Sequence, residues 1–432
     1  MKTPSLSEIR DFALSTKTAR RTIHSKIVSA LAFGILLGSS GFVLAGPNTW
    51  NNAAGGNWSV TTNWSTLAVP GTNDSVIFGN VGAGLPNTND LAAAMINSLT
   101  YDWNNQSQQT TVINSGETLT INSTNAAGSA LFLEGSASAA PASGTLAPAA
   151  IIGAGASLVL TGSGDMIVHI GNGTAGTHMA TLDMSGLDNF NANVGRLLVG
   201  QANAGAAVNR PSGTLILAGT NHITLTGGSP QVMVQDSGSN ANGGTASVLT
   251  FGQVNFLNAD TMRFGGQKGN ANINFNGILS RPSLTIRNAD GASPCTVIDF
   301  GYNAAASTGN STTANADFSP GTVDISANLL HVANGPIGTG SGGCSGTLTL
   351  GAGVLNVGTL EIGYGNATGV SGATTGTLNV NNNGSFSAGA LVQANTMLRL
   401  ARTNGGSAVV NGTLSVSGGT VEANSIVSGG GV

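Results

Sequence analysis

The sequence predicts an all-β chain wound as a right-handed parallel β-helix, a solenoid of about 33 residues per coil. Three observations carry that expectation. Two short apolar-x-apolar phrases alternate through most of the chain, the spacers between them are Gly, Ser, Thr and Asn, and no 3.6-residue periodicity survives past residue 45. A β-propeller is the rival, but its blades need four strands and about 40–50 residues each.

The phrases set the register. Centred on the x residue, the first phrase is "VHIG" at His169, "LLVG" at Leu198, "VMVQ" at Met233, "MRFG" at Arg263, "IDFG" at Asp299, "LHVA" at His331, "LEIG" at Glu361 and "LRLA" at Arg399. The intervals are 29, 35, 30, 36, 32, 30 and 38 residues. A second phrase follows each, among them "TLDM" at Asp183, "TVDI" at Asp324, "TLTL" at Thr349 and "TLNV" at Asn379. A weaker third often comes next, near Ile223, Leu355 and Phe386. One coil cannot cover its own apolar face, so each is written to stack on its neighbour.

Before the repeats lie two other segments. Residues 1–45 hold six of the 14 basic residues, the apolar run "IVSALAFGILLG" from Ile27 to Gly38, and Val43-x-Ala45 ahead of Gly46. That reads as a secretory signal peptide, with an N-terminal membrane anchor as the alternative. Export makes a disulfide between Cys295 and Cys344 an open option, subject to a Cα separation within about 7 Å. Residues 46–122 contain all four tryptophans and read as an irregular β region that caps the solenoid, with 123–432 as the repeats. Trp50, Trp58 and Trp64 are also candidates for stacking on sugars.

Charge narrows the partners. From residue 46 on, 16 acids face 8 bases, a net charge of −8, and Lys268 is the sole lysine. Nucleic acid and anionic lipid need a basic patch, so neither is expected. No calcium nonapeptide, Walker loop, H-E-x-x-H or G-x-S-x-G occurs, and no cofactor or metal is predicted.

The x residues of the first phrase should point outward in one column. Asp299, His331 and Glu361 then fall on consecutive coils, with the two carboxylates about 9.6 Å apart at the backbone. That spacing is near the upper end for an inverting acid/base pair, and a His between carboxylates also suits a divalent metal. The plainer reading is a solvated ladder of alternating charge. Asp183 and Asp324 take the same reading on the second phrase.

The N-terminal region carries a resemblance. "TWNNAAGGNWSVTTNWSTLAVPGTNDSVIF" and "INSLTYDWNNQSQQTTVINSGETLTI" place Trp50, Trp58, Trp64, Pro70, Asp74 and Phe78, then Ile96, Leu99, Tyr101, Gly116 and Leu119. This arrangement resembles secreted bacterial β-strand-repeat proteins of the autotransporter-passenger type. The resemblance implies a parallel β-helix at the cell surface, outer membrane or outside the cell, and it carries over no catalytic residue. An autotransporter should continue into a membrane barrel, whereas this chain reaches "VSGGGV", which reads as a unit truncated in mid-coil or anchored otherwise. The expected function is a non-enzymatic adhesin, scaffold or matrix protein whose partners are surface polysaccharide, other cells or itself. The alternative is a polysaccharide lyase or glycoside hydrolase using Asp299, His331 and Glu361.

Overall fold

The structure is a computed structural model. It describes residues 46–103, 107–124, 128–135, 146–171, 177–202, 210–236, 245–303, 311–335, 342–365, 372–382, 384–403 and 409–429. The segment read as a signal, 1–45, lies outside them. Gly46–Val432 forms one compact unit.

Among the described residues the strands pair in parallel, and the isolated bridges Trp50–Trp64 and Asn381–Gly418 run antiparallel. One coil shows the plan: Leu197–Ala202, Arg210–Ile216 and Thr220–Leu225 are its three strands. Each pairs with its counterpart one coil on, as Leu197 with Val232, Thr214 with Val248 and Thr220 with Val254. The result is a β-solenoid of about ten turns and about 32 residues per turn. Among the described residues the only helical element is the 3-10 turn Thr61–Asn63. Parallel pairing already begins at Pro47–Thr49.

Alternation places the core. In Cys344–Leu350 every second residue is buried, and Leu348 stacks on Leu378 of the next coil. Leu330, Leu360 and Leu398 form another such column, and Phe264 stacks on Phe300 with ring centres 5.1 Å apart. Aliphatic and aromatic ladders repeating at about 4.8 Å supply the burial that no single coil has.

The fourth residue of the first phrase turns the corner. Gly200, Gly265, Gly301 and Gly363 have φ between 68° and 85°, a region glycine enters without a Cβ penalty. The same position holds non-glycine residues in other coils: Gln235, Ala333 and Ala401 have φ of 60°, 68° and 54°. Opposite the corner sits the glycine of the second phrase. A Cβ on Gly346 would fall on the Phe300 carbonyl oxygen, and one on Gly376 on the Val332 carbonyl oxygen. The two glycines that recur in the sequence are therefore neighbours, one turning the chain and one letting it approach.

Register corrects three expectations. Ile167, not His169, stands in the column with Leu198, while His169 occupies the corner position itself with φ 67°. Gly171 made "VHIG" look aligned, but the corner falls two residues earlier. Asp324 pairs with Thr285 and Val354 on the third strand, because the second strand of that coil is Thr312–Phe318. "SFSA" at Phe386 is no strand: the chain bends there and the third strand resumes at Leu391.

Candidate functional site

The five charged x residues do form one column. Arg263 pairs with Asp299, Asp299 with His331, His331 with Glu361, and Glu361 with Arg399, each across one coil. They come from the strands Thr261–Gly266, Cys295–Tyr302, Thr322–Asn334, Gly353–Gly365 and Leu391–Thr403.

The column is not a solvated ladder. Asp299, His331 and Glu361 are only 3%, 5% and 2% exposed. The left-handed corner explains part of this, because it sets the residue three positions on against the same face. Tyr302, Asn334, Tyr364 and Arg402 thus make a second column beside the first. Asn334 Nδ2 donates to Asp299 Oδ1 at 3.1 Å, and the Tyr364 ring lies flat on His331 with centres 5.3 Å apart. The Arg402 guanidinium sits 4.9 Å from the Tyr364 ring centre, and that of Arg263 sits 3.6 Å from the Tyr302 ring centre. Sequence reasoning missed this second column, since period-2 alternation puts residues three apart on opposite faces.

His331 is held at both nitrogens. Nδ1 donates to Asp299 Oδ1 at 2.7 Å and Nε2 to Glu361 Oε2 at 3.1 Å. A neutral imidazole has one N–H and would aim a lone pair at a carboxylate, so the doubly protonated cation fits. Burial disfavours that charge, but the hydrogen bonds and charges of Asp299 and Glu361 more than offset it and lift His331 to about 9. Glu361 is the converse. Burial works against its ionisation, yet His331, Arg399 and Arg402 hold it down at about 2. Arg399 and Arg402 both reach Glu361 Oε1, at 2.6 and 2.7 Å.

This arrangement binds itself. An inverting glycosidase keeps a gap between its carboxylates for water and substrate. Here the imidazole fills that gap and the carboxylates are buried. A metal ligand needs a free imidazole lone pair, and both nitrogens are committed to donation. Among the described residues no group of three His, Cys, Asp or Glu is placed to hold a metal ion.

The other candidates are also interior. Trp50, Trp58 and Trp64 are at most 1% exposed and pack edge to face, with Trp64 5.0 Å from Trp50 and 5.4 Å from Trp58. Phe78 leans on all three and stacks on Tyr101. Each indole N–H donates inside the molecule, to the Asn52 carbonyl, Asn87 Oδ1 and the Trp58 carbonyl. No ring face is left for a sugar. Cys295 and Cys344 are buried free thiols, not a disulfide. Cys295 faces Ala327 on one sheet and Cys344 faces Thr312 and Thr374 on another. Burial pushes the Cys295 thiol up to about 12 and raises that of Cys344 further, so neither is a ready nucleophile.

The fold and this buried ion network are what the chain presents for comparison with known proteins, and no protein family, curated protein or solved structure matches it.

Proposed function

We propose that this protein is a non-enzymatic, exported β-solenoid of the autotransporter-passenger type, acting at the cell surface or outside the cell as an adhesin, scaffold or matrix element. The observation that carries the reading is the fate of its best catalytic candidates. Asp299, His331 and Glu361 saturate one another in the interior, so the residues with the most reactive chemistry are spent on holding coils together. Outward positions of the second strands instead carry hydroxyl and amide groups, as at Thr347, Thr349, Thr377, Asn379, Thr413 and Ser415. Such groups suit weak, repeated contacts with polysaccharide, other cells or a second copy, and multivalency makes weak contacts effective.

The test is to probe the full chain against immobilised polysaccharides, cells and itself, and to assay released sugar in parallel. Binding to at least one surface without product release is the expected result. Absence of all binding sinks the proposal. Turnover that vanishes in both Asp299→Asn and Glu361→Gln variants that stay folded would replace it with the lyase or hydrolase reading.

A further inference from the structure

One surface feature breaks the regularity of the stack. The segment Asn276–Pro282 projects from the corner after the strand Asn270–Phe275, and its backbone is held from the preceding coil. Gln253 Nε2 donates to the carbonyls of Ser280 and Arg281, at 2.9 and 3.2 Å. At its tip Ile278 is 88% exposed, and Arg281 adopts a left-handed backbone with φ 52°. A non-glycine residue in that conformation is strained, and such strain concentrates where it serves a purpose.

Arg281 then reaches across the stack. Its Nη2 donates to the Ser385 carbonyl at 2.6 Å, a partner 104 residues away, and its guanidinium carbon lies 5.6 Å from the Phe386 ring centre. The receiving segment is anchored at its base, where Ala390 N–H donates to the Asn381 carbonyl and Asn382 N–H to the Ser417 carbonyl, both at 3.1 Å. Between the two segments is a groove of about 520 Å³ lined by Leu279, Ser280, Arg281, Pro320, Gly384 and Ser385. Among the described residues no carboxylate pairs with Arg281, whereas Arg196, Arg287, Arg399 and Arg402 each have one.

We propose that this groove binds an acidic sugar, a hexuronate unit within an oligosaccharide, with its carboxylate on Arg281. The groove volume falls in the range of small-ligand sites. Leu279 and Pro320 offer apolar surface for the C–H face of a pyranose, and Ser280 with the Gly384–Ser385 backbone offers polar atoms for its hydroxyls. Arg281 keeps unused donors for the carboxylate, and guanidinium–carboxylate geometry is favourable. An inorganic phosphate would leave most of the groove empty and meet one cation only. The proposal deepens the adhesive reading and rests on it.

The experiment measures binding of trigalacturonate and of neutral galactotriose to the full chain by calorimetry, beside the polysaccharide and cell panel. Expected is at least tenfold preference for the acidic trimer, weakening with salt. Arg281→Ala should lose that preference and Arg281→Lys should keep part of it. Arg287→Ala, which removes a cation paired with Asp324, should leave it unchanged. Circular dichroism and thermal unfolding confirm that each variant is folded. Equal affinity for both trimers, or an Arg281→Ala variant that binds as wild type, overturns the groove. If neither trimer binds while the panel still gives binding, the groove falls and the adhesive reading stands. If nothing binds, both fall.

Discussion

One column of this solenoid is written in two chemistries. In the earlier coils Phe132, Ile167, Leu198 and Met233 stack in register and pack together, with the last three 7%, 1% and 6% exposed. In the later coils the same backbone position carries Arg263, Asp299, His331, Glu361 and Arg399, the last four joined by hydrogen bonds and ion pairs. Met233 and Arg263 are the point of change. The backbone repeats through both halves, so the fold does not dictate which chemistry fills the corner. Apolar stacking tolerates small errors of position. A buried ion chain does not, because each member depends on its neighbours for compensation.

That difference can be broken at its centre. Glu361→Ala would leave Arg399 and Arg402 without an anion and the His331 cation with Asp299 alone. Removing one member of a buried charge network costs about 3–5 kcal/mol. Urea unfolding followed by circular dichroism should show a loss of that size, and a loss below about 1 kcal/mol would mean that water or relaxation rescues the cations. Extending the apolar half sharpens the contrast. Replacing Asp299, His331, Glu361, Arg399 and Arg402 together by Leu or Met should come out near neutral, since well-packed apolar side chains often equal a buried ion network.

Titration gives the second effect. His331 folds with a pKa of about 9, above the ~6.5 of an exposed histidine. Its contribution is therefore complete below about pH 6.5 and is lost as pH rises through 9, by roughly 3 kcal/mol. Glu361, held at about 2, acts in the opposite sense: its contribution is complete above about pH 4.3 and fades as pH falls toward 2. The two windows report one contact from its two sides and do not add. Stability measured from pH 6 to 10 should fall in the wild type and stay much flatter in His331→Gln. Parallel slopes would place the titrating group elsewhere.

The smallest single-site effect belongs to the apolar half. Met233→Ala removes side-chain volume from a cluster of four residues and should cost about 2 kcal/mol, with no dependence on pH in the His331 window. A larger cost, or one that varies with pH, would mean that the two halves are coupled through Arg263.

Much of the architecture was legible because it is carried by repetition. Parallel stacking and the order of the charged column follow from the recurrence of L-x-V-G and G-T-L-x-V. The slip at His169 has a physical source: the left-handed corner is a requirement on φ, and glycine satisfies it most easily but not alone. Gln235, Ala333 and Ala401 stand there too. The burial of Asp299, His331 and Glu361 was not legible, because it depends on Tyr364, Asn334 and Arg402 crossing the corner. Nor was the Arg281 groove, whose two walls are 104 residues apart in sequence.

The aromatic cluster of the first coils also determines what can be seen in solution. All four tryptophans lie between residues 50 and 103, and three of them interlock around Phe78. Tryptophan fluorescence of this protein therefore senses only the opening coils, while far-ultraviolet dichroism averages over every strand. In a stack held by nearest-neighbour contacts the two signals need not change together. The gap between their midpoints measures how many coils melt as one, and the protein carries that ruler without a label.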